Sequence, residues 1–345
     1  MIVPLRRGGA ATRITVLIPE AEPAHIWQRL LQNRRGAVVA RAVRRDTDAV
    51  ICRLRFRLET GGTARGDAAI VSASTYRDVM NSAMDYDGHC AEIVHQADLL
   101  ASCLTERDAD LTTTVPSCPE WNLAQLLRHL GEAHRWVAEL VRTRATEPPP
   151  DTALRILPRD TAQSPAELAA WLADGARLLA DTLRGTGPDA RIWTPLPSGS
   201  PRFFARRMTH ETVMHRADAT LALGRDFTVD QRVALDSLDE WMELGSLPEM
   251  FDFHPDRREL LGPGRTLHFH ATDTPPEAAA DWLVDLTGDT LAWRRAQEPA
   301  AVSVRAPLTD LLLLIYGRLP GDSDTFEIVG DAELLEFWLA RVLFG

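Results

Sequence analysis

The segment from Arg202 to Leu223 constrains this chain more than any other. It has no proline or glycine and reads as one helix. On a helix, residues four apart share a face. Glu211 and His215 are therefore stacked one turn apart, a carboxylate and an imidazole pointing the same way. Such a pair supplies two ligands to a divalent metal such as zinc. It can equally be ordinary surface chemistry, with Glu211 paired to an arginine one turn away. His210 is five residues from His215, roughly 140° around the helix, and is not expected to be the third ligand. The string is not the metalloprotease HExxH, which has one residue fewer between its histidines. A third ligand has to come from elsewhere in the chain.

Other helical patterns surround this one. Ile93, Ala97, Leu100 and Leu104 recur at spacings of three and four, which predicts a helix from Tyr86. The stretch Val115 to Trp121 holds two prolines and reads as a stiffened loop. Asn122 with Gln125 three residues on has the form of a capping box. The helix it opens is expected to run to about Arg142, with Leu123, Leu126, Leu127 and Leu130 inward. A proline-rich linker follows, from Pro148 to Pro158. Ser164-Pro165 opens a third helix with the proline in its first turn. The fourth is the Arg202 segment, and Val229 to Leu244 forms a fifth that bridges onward.

After Pro255 the pattern changes. Arg265 to Ala271 alternates apolar and polar residues, as a half-buried strand does. Trp282 to Leu286 and Thr290 to Arg294 form an expected hairpin around Gly288-Asp289. A strand over Ala301 to Val304, a helix over Pro307 to Arg318, a strand over Phe326 to Val329 and a last helix over Asp331 to Leu343 complete an α+β domain. Three regions result: a basic extension over 1–83, a helical bundle over 84–250 and the α+β domain over 260–345.

The first region stands apart. It carries 14 arginines against seven acidic residues, while the remainder carries 24 against 42. It has short apolar runs, glycine-rich breaks, and room for one short helix near Ala24 to Gln32. It reads as a poorly packed extension, or as sequence ahead of an internal start at Met80 or Met84. The other reading is a basic regulatory or binding module. No chemistry is legible in it.

Composition excludes several function classes. The net charge of −11 disfavours nucleic acid as a partner. No apolar run approaches the roughly 18 residues of a membrane helix, and no secretory signal is visible. Cys52, Cys90, Cys103 and Cys118 contain no CxxC pair, which points to a reduced, cytoplasmic setting. There is no lysine at all, so Schiff-base chemistry is excluded.

The third ligand has two candidates on the second helix, His129 and His134. They are five apart and diverge in azimuth, so one ion is not expected to meet both. In a bundle, metal sites form from side chains on facing helices. One of these histidines with Glu211 and His215 makes a three-ligand site. Three protein ligands leave a position open for water or a thiol, the catalytic pattern.

The motifs carry a resemblance. Val115-Pro116-Ser117-Cys118-Pro119-Glu120-Trp121 through Leu127-Arg128-His129-Leu130-Gly131 and Trp136 resembles the metal-binding domain of mycothiol-dependent maleylpyruvate isomerases. So does Arg206-Arg207-Met208-Thr209-His210-Glu211 through His215-Arg216-Ala217-Asp218-Ala219. The run Val304 to Leu311 and on to Arg318 is similar to that family's C-terminal domain. The resemblance covers about 84–345 and leaves 1–83 out. It implies a DinB-like four-helix bundle followed by a small C-terminal domain. It also implies that His129, Glu211 and His215 bind a divalent metal, usually zinc, with mycothiol as a thiol cosubstrate. The family's thiol adds to a cis double bond, permits rotation and leaves. An arginine of the C-terminal domain helps to hold the anionic substrate, and Arg318 is the best positional match. As a helix C-terminal residue, Arg318 can equally complement the helix dipole. Arg207 lies on the Glu211 and His215 face and either binds a carboxylate or neutralises Glu211.

Three further residues have two readings each. Asp218 either orients a ligand or serves as an ordinary cap or ion pair. Cys118 is not expected to be catalytic, and Trp121, Trp136 and Trp171 are expected in the bundle core. The function expected is a metal-dependent, mycothiol-using isomerase or thiol transferase acting on a small electrophile. The alternative is a non-catalytic zinc-binding regulatory protein. The partners expected are a small molecule and a low-molecular-weight thiol, with no nucleic acid and no membrane.

Overall fold

The computed structural model describes residues 2–5, 12–15, 37–43, 51–57, 63–65, 84–105, 109–147, 164–196 and 199–342. By its contacts the chain divides into two compact units, Met1–Asp78 and Val79–Gly345. In the first, β1 (Ile2–Leu5) pairs antiparallel with β2 (Thr12–Thr15). A second sheet holds β3 (Ala37–Val43), β4 (Ile51–Arg57) and β5 (Thr63–Arg65), also antiparallel. The helix expected over 24–32 and the linker over 148–158 lie outside the described residues.

The second unit begins with the helical bundle. Its helices are α1 (Tyr86–Thr105), α2 (Leu123–Thr143), α3 (Pro165–Thr186) and α4 (Pro201–Ala222). Neighbours around the bundle run α1, α3, α2, α4 and back to α1. The local causes are visible at the helix starts. Asn122 accepts from Gln125 N while Gln125 Oε1 accepts from Asn122 N, at 2.9 and 3.0 Å. Ser164 and Glu167 form the same reciprocal box, with Pro165 at the first helical position, where its missing N–H costs nothing. Leu123, Leu126, Leu127 and Leu130 show no exposed surface. Each contributes about 1.5–3 kcal/mol of burial. Gly131 is needed where α3 approaches, since a Cβ there would stand 2.2 Å from the Trp171 ring.

One expectation is corrected. The stretch before α2 is not a loop but a small hairpin, β6 (Thr114–Val115) with β7 (Cys118–Asn122). Its prolines do not prevent pairing. Pro116 lies outside both strands, and the register steps from Val115↔Cys118 to Thr114↔Asn122 past Pro119. The hairpin also anchors the helix: Leu123 N donates to Thr113 O and Ala124 N to Leu111 O, both at 3.0 Å. These are two of the N–H groups a helix start leaves without intrahelical partners.

Helix α5 (Gln231–Gly245) leads from the bundle, through the short α6 (Met250–Phe253), to the α+β domain. That domain has β8 (Thr266–Ala271), β9 (Asp281–Asp285), β10 (Ala292–Arg295), β11 (Val302–Ala306) and β12 (Glu327–Gly330), with helices α7 (Leu308–Ile315) and α8 (Ala332–Val342). The sheet order is β10-β9-β8-β11-β12. Only β8 and β11 pair in parallel; the chain between them passes through β9 and β10, a connection longer than a hairpin, as parallel pairing requires. Phe269, Trp282, Val304, Leu311 and Trp338 form the core between sheet and helices.

Helix α7 ends earlier than the sequence pattern predicts. Gly317 has φ +74°, a left-handed conformation that glycine adopts without strain. Arg318 N donates to Leu313 O at 2.6 Å and Gly317 N to Leu314 O at 2.9 Å. This is the Schellman pattern. It turns the chain sharply and aims Arg318 back at the bundle.

Candidate metal centre

Helix α4 carries histidine and carboxylate groups on two faces, and the two sets differ. On the first face, His215 and Glu211 stack as their spacing requires, with His215 Nε2 3.5 Å from Glu211 Oε2. His129 arrives from α2, its ring centroid 5.4 Å from that of His215 and edge to face with it. Trp121, at the end of β7, packs on the other side of His129 with centroids 4.8 Å apart. So the structure brings together all three of the predicted ligand residues. His134 is turned away: it is fully buried, and its Nε2 lies 2.9 Å from Thr212 Oγ1.

The protonation pattern follows from the neighbours. His215 Nδ1 is 3.0 Å from Asp218 Oδ2. Asp218 is held well below the usual carboxylate range: burial acts to raise it, but bonds from His215 and Arg318 outweigh that. An ionised carboxylate only accepts, so Nδ1 carries the proton. The other ring nitrogen, Nε2, is turned toward Glu211 Oε2. Burial, helped by His215, lowers His129 to about 4, so it is neutral near pH 7. Glu211 is also lowered; burial would raise it, and Arg207, His215, His129 and Arg318 hold it down. Two imidazoles and one carboxylate are a donor set that fits a divalent ion such as zinc. The site is reached by solvent, since the Glu211 side chain keeps 36% of its surface and that of His215 13%.

Both predicted arginines lie here, and both are already engaged. Arg207 Nε donates to Glu211 Oε1 at 3.2 Å, and its Nη1 donates to Glu240 Oε2 on α5. Arg318 spans the domains, with Nε and Nη2 on the two oxygens of Asp218 at 2.9 and 3.0 Å. Ser117 Oγ, from the β6–β7 turn, also donates to Asp218 at 2.5 Å. Asp218 is therefore an orienting residue in geometry, and more than a cap. Cys118 is raised by burial, which disfavours the thiolate.

The opposite face of α4 holds a set that the sequence did not indicate. Ligand atoms of His89, His210 and Asp236 all lie within 4.8 Å of one another, a spacing able to hold a metal ion. Most of these groups have close partners within the cluster, although Asp236 Oδ1 accepts no hydrogen bond from the described residues. His210 Nε2 is 2.8 Å from Asp236 Oδ2, and its Nδ1 is 2.6 Å from Ser237 Oγ. Arg206 Nε lies 3.2 Å from Asp236 Oδ2, and its Nη1 donates to Glu243 Oε2 at 2.5 Å. The His210 and Asp236 side chains have no exposed surface. His89 is lowered to about 3, mainly by burial. An ion entering here would have to displace a guanidinium from a sealed carboxylate. These contacts join α1, α4 and α5 across large sequence separations, so no local spacing announces them.

Comparisons with known proteins bear on both domains. Residues 90–220 match the family model described as mycothiol maleylpyruvate isomerase N-terminal domain. Residues 232–337 match the C-terminal domain of the same family. The chain belongs to the mycothiol maleylpyruvate isomerase family. Its first unit differs in kinship: residues 2–56 match a model described as the KimA potassium transporter C-terminal domain. Among solved structures, the chain as a whole is similar to the mycothiol-dependent maleylpyruvate isomerase and to a histidine-to-alanine mutant of that enzyme. Each is 15% identical and covers 69% of this chain and 92% of its own, with TM-scores of 0.42 and 0.43. No curated protein matches. Among the described residues, no helix is long and apolar enough to cross a membrane.

Proposed function

We propose that this member of the maleylpyruvate isomerase family is a divalent-metal, thiol-using enzyme. His129, Glu211 and His215 hold the ion, zinc for preference. A low-molecular-weight thiol, mycothiol in the family, meets a small electrophile at the open position. The observation that carries the reading is the convergence of His129, Glu211 and His215 on a face that solvent reaches, with His215 Nε2 3.5 Å from Glu211 Oε2 and Nδ1 held by Asp218. The ion, when bound, lowers the pKa of a coordinated thiol.

The rest is supplied by the chain. Glu211, Glu240 and Asp218 face Arg207 and Arg318, three formal negative charges against two positive. A divalent ion changes the local sum from −1 to +1. The site then attracts a thiolate and an anionic electrophile only when loaded. Arg207 and Arg318 supply the positive charge in this proposal. The reaction class is addition of the thiolate to an activated cis double bond, rotation about the resulting single bond, and departure of the thiolate. The bond formed in the first step breaks in the last, so the thiol is regenerated. S-transfer to an electrophile is the same first step without the return. Solvent access at Glu211 favours this over a closed regulatory zinc site.

Metal analysis of the purified wild type and of His129→Ala, followed by thiol-addition assays with mycothiol, tests the proposal. One divalent ion per chain, lost together with activity in the variant, is the expected result. A wild type that binds no divalent ion, or a variant that binds it equally well, contradicts it.

A further inference from the structure

Asp218 is the point where three elements meet a ligand of the proposed metal. Its side chain has no exposed surface. It accepts from His215 Nδ1 one turn back on α4, from Ser117 Oγ in the β6–β7 turn, and from Arg318 Nε and Nη2 after α7. Four donors fill its two oxygens, close to the capacity of a carboxylate. Arg318 brings a guanidinium to it. A buried carboxylate without such a partner is strongly disfavoured.

The geometry of Arg318 matters as much as its charge. Its Nε and Nη2 edge is the fork that takes a carboxylate in two parallel bonds. Asp218 occupies that edge. The remaining nitrogen, Nη1, donates to Tyr316 O at 2.5 Å, within its own turn. A substrate carboxylate seeking a bidentate clamp would need the edge that Asp218 already fills. The Schellman turn at Gly317 fixes the direction of the side chain, so the arrangement is built by the α+β domain and delivered to the bundle.

We propose that Arg318 is a positioning residue: by clamping Asp218 it fixes the orientation and tautomer of His215, so the α+β domain completes the metal ligand set. The proposal rests on the metal reading above. It assigns the arginine to the ligand side of the site, and it makes docking of the small domain a condition for tight metal binding. Partners of this kind, standing behind a metal-bound histidine, are worth about 10–100-fold in metal affinity.

The test uses the full chain and two readouts. Zinc affinity is measured by competition with a chromophoric chelator. The His215 tautomer is read from 15N-histidine spectra of the metal-free protein. The variants are Asp218→Asn, Arg318→Gln and Arg318→Lys, each first shown to be folded by circular dichroism. Zinc affinity is expected to fall 10–100-fold in Asp218→Asn and Arg318→Gln, with the His215 proton no longer confined to Nδ1. Arg318→Lys is expected to recover part of the loss, since a lysine restores charge but not the fork. Wild-type zinc affinity and an unchanged His215 tautomer in Arg318→Gln would overturn the proposal. A wild type without zinc sinks the metal reading alone, because the tautomer in metal-free protein still judges the clamp.

Discussion

The two faces of α4 use the same residue types to opposite ends. On one face His215 is held by Asp218 through Nδ1 and turns Nε2 toward Glu211, which solvent reaches. On the other, both ring nitrogens of His210 have close partners, and Asp236 is shared by His210, His89 and Arg206 with no exposed surface. The compact spacing of ligand atoms on the buried face reflects mutual hydrogen bonding. The two faces differ in the partner of the second nitrogen and in the access of water.

The largest expected effect is on the sealed face. Asp236→Ala leaves Arg206, His210 and His89 without their shared carboxylate. It is predicted to destabilise the fold by about 3–5 kcal/mol in chemical denaturation while metal content is unchanged. A variant as stable as wild type would mean that the network is not structural. Next comes the packing behind the open face. Gly131→Ala drives a methyl into Trp171, two residues along from His129. Overpacking of this kind costs about 1–3 kcal/mol, read as a lower denaturation midpoint. An unchanged midpoint would show that Trp171 moves freely aside.

A smaller effect touches both faces through pH. His89, His129 and His134 are lowered to about 3, 4 and 3, chiefly by burial. The unfolded chain binds protons near 6.5 that the native state refuses until far lower. Stability is therefore fully present above about pH 6.5 and is lost as pH falls toward 4. Each histidine contributes up to about 1.4 kcal/mol per pH unit in that window. Thermal melts of metal-free protein at pH 7, 6 and 5 are expected to fall stepwise. A flat profile would indicate that these rings are protonated in the native state.

Much of this was legible in the sequence, for reasons that are local. The i, i+4 spacing puts Glu211 and His215 on one face, and Asn122 with Gln125 and Ser164 with Glu167 start helices that pack as the leucine pattern requires. His215 and Asp218 are three apart on a helix, so their contact was also within reach of spacing. The β6–β7 hairpin was not, because its strands are short and proline-bearing, and their pairing depends on α2 docking behind them. The Arg318 clamp joins residues 100 apart, and the His89 link to Thr209 joins residues 120 apart. Such contacts are made by tertiary packing, and no periodicity encodes them. Motif position offers two readings of Arg318, a substrate contact or a helix C-terminal charge; in the structure its fork lies on Asp218.

The central claim is that metal belongs to the open face of α4. It is tested most directly by zinc content per chain in wild type, His215→Ala and His210→Gln, each folded and dialysed alike. One equivalent in wild type and in His210→Gln, with none in His215→Ala, is the predicted result. Zinc retained in His215→Ala and lost in His210→Gln would place the ion on the sealed face and contradict the account.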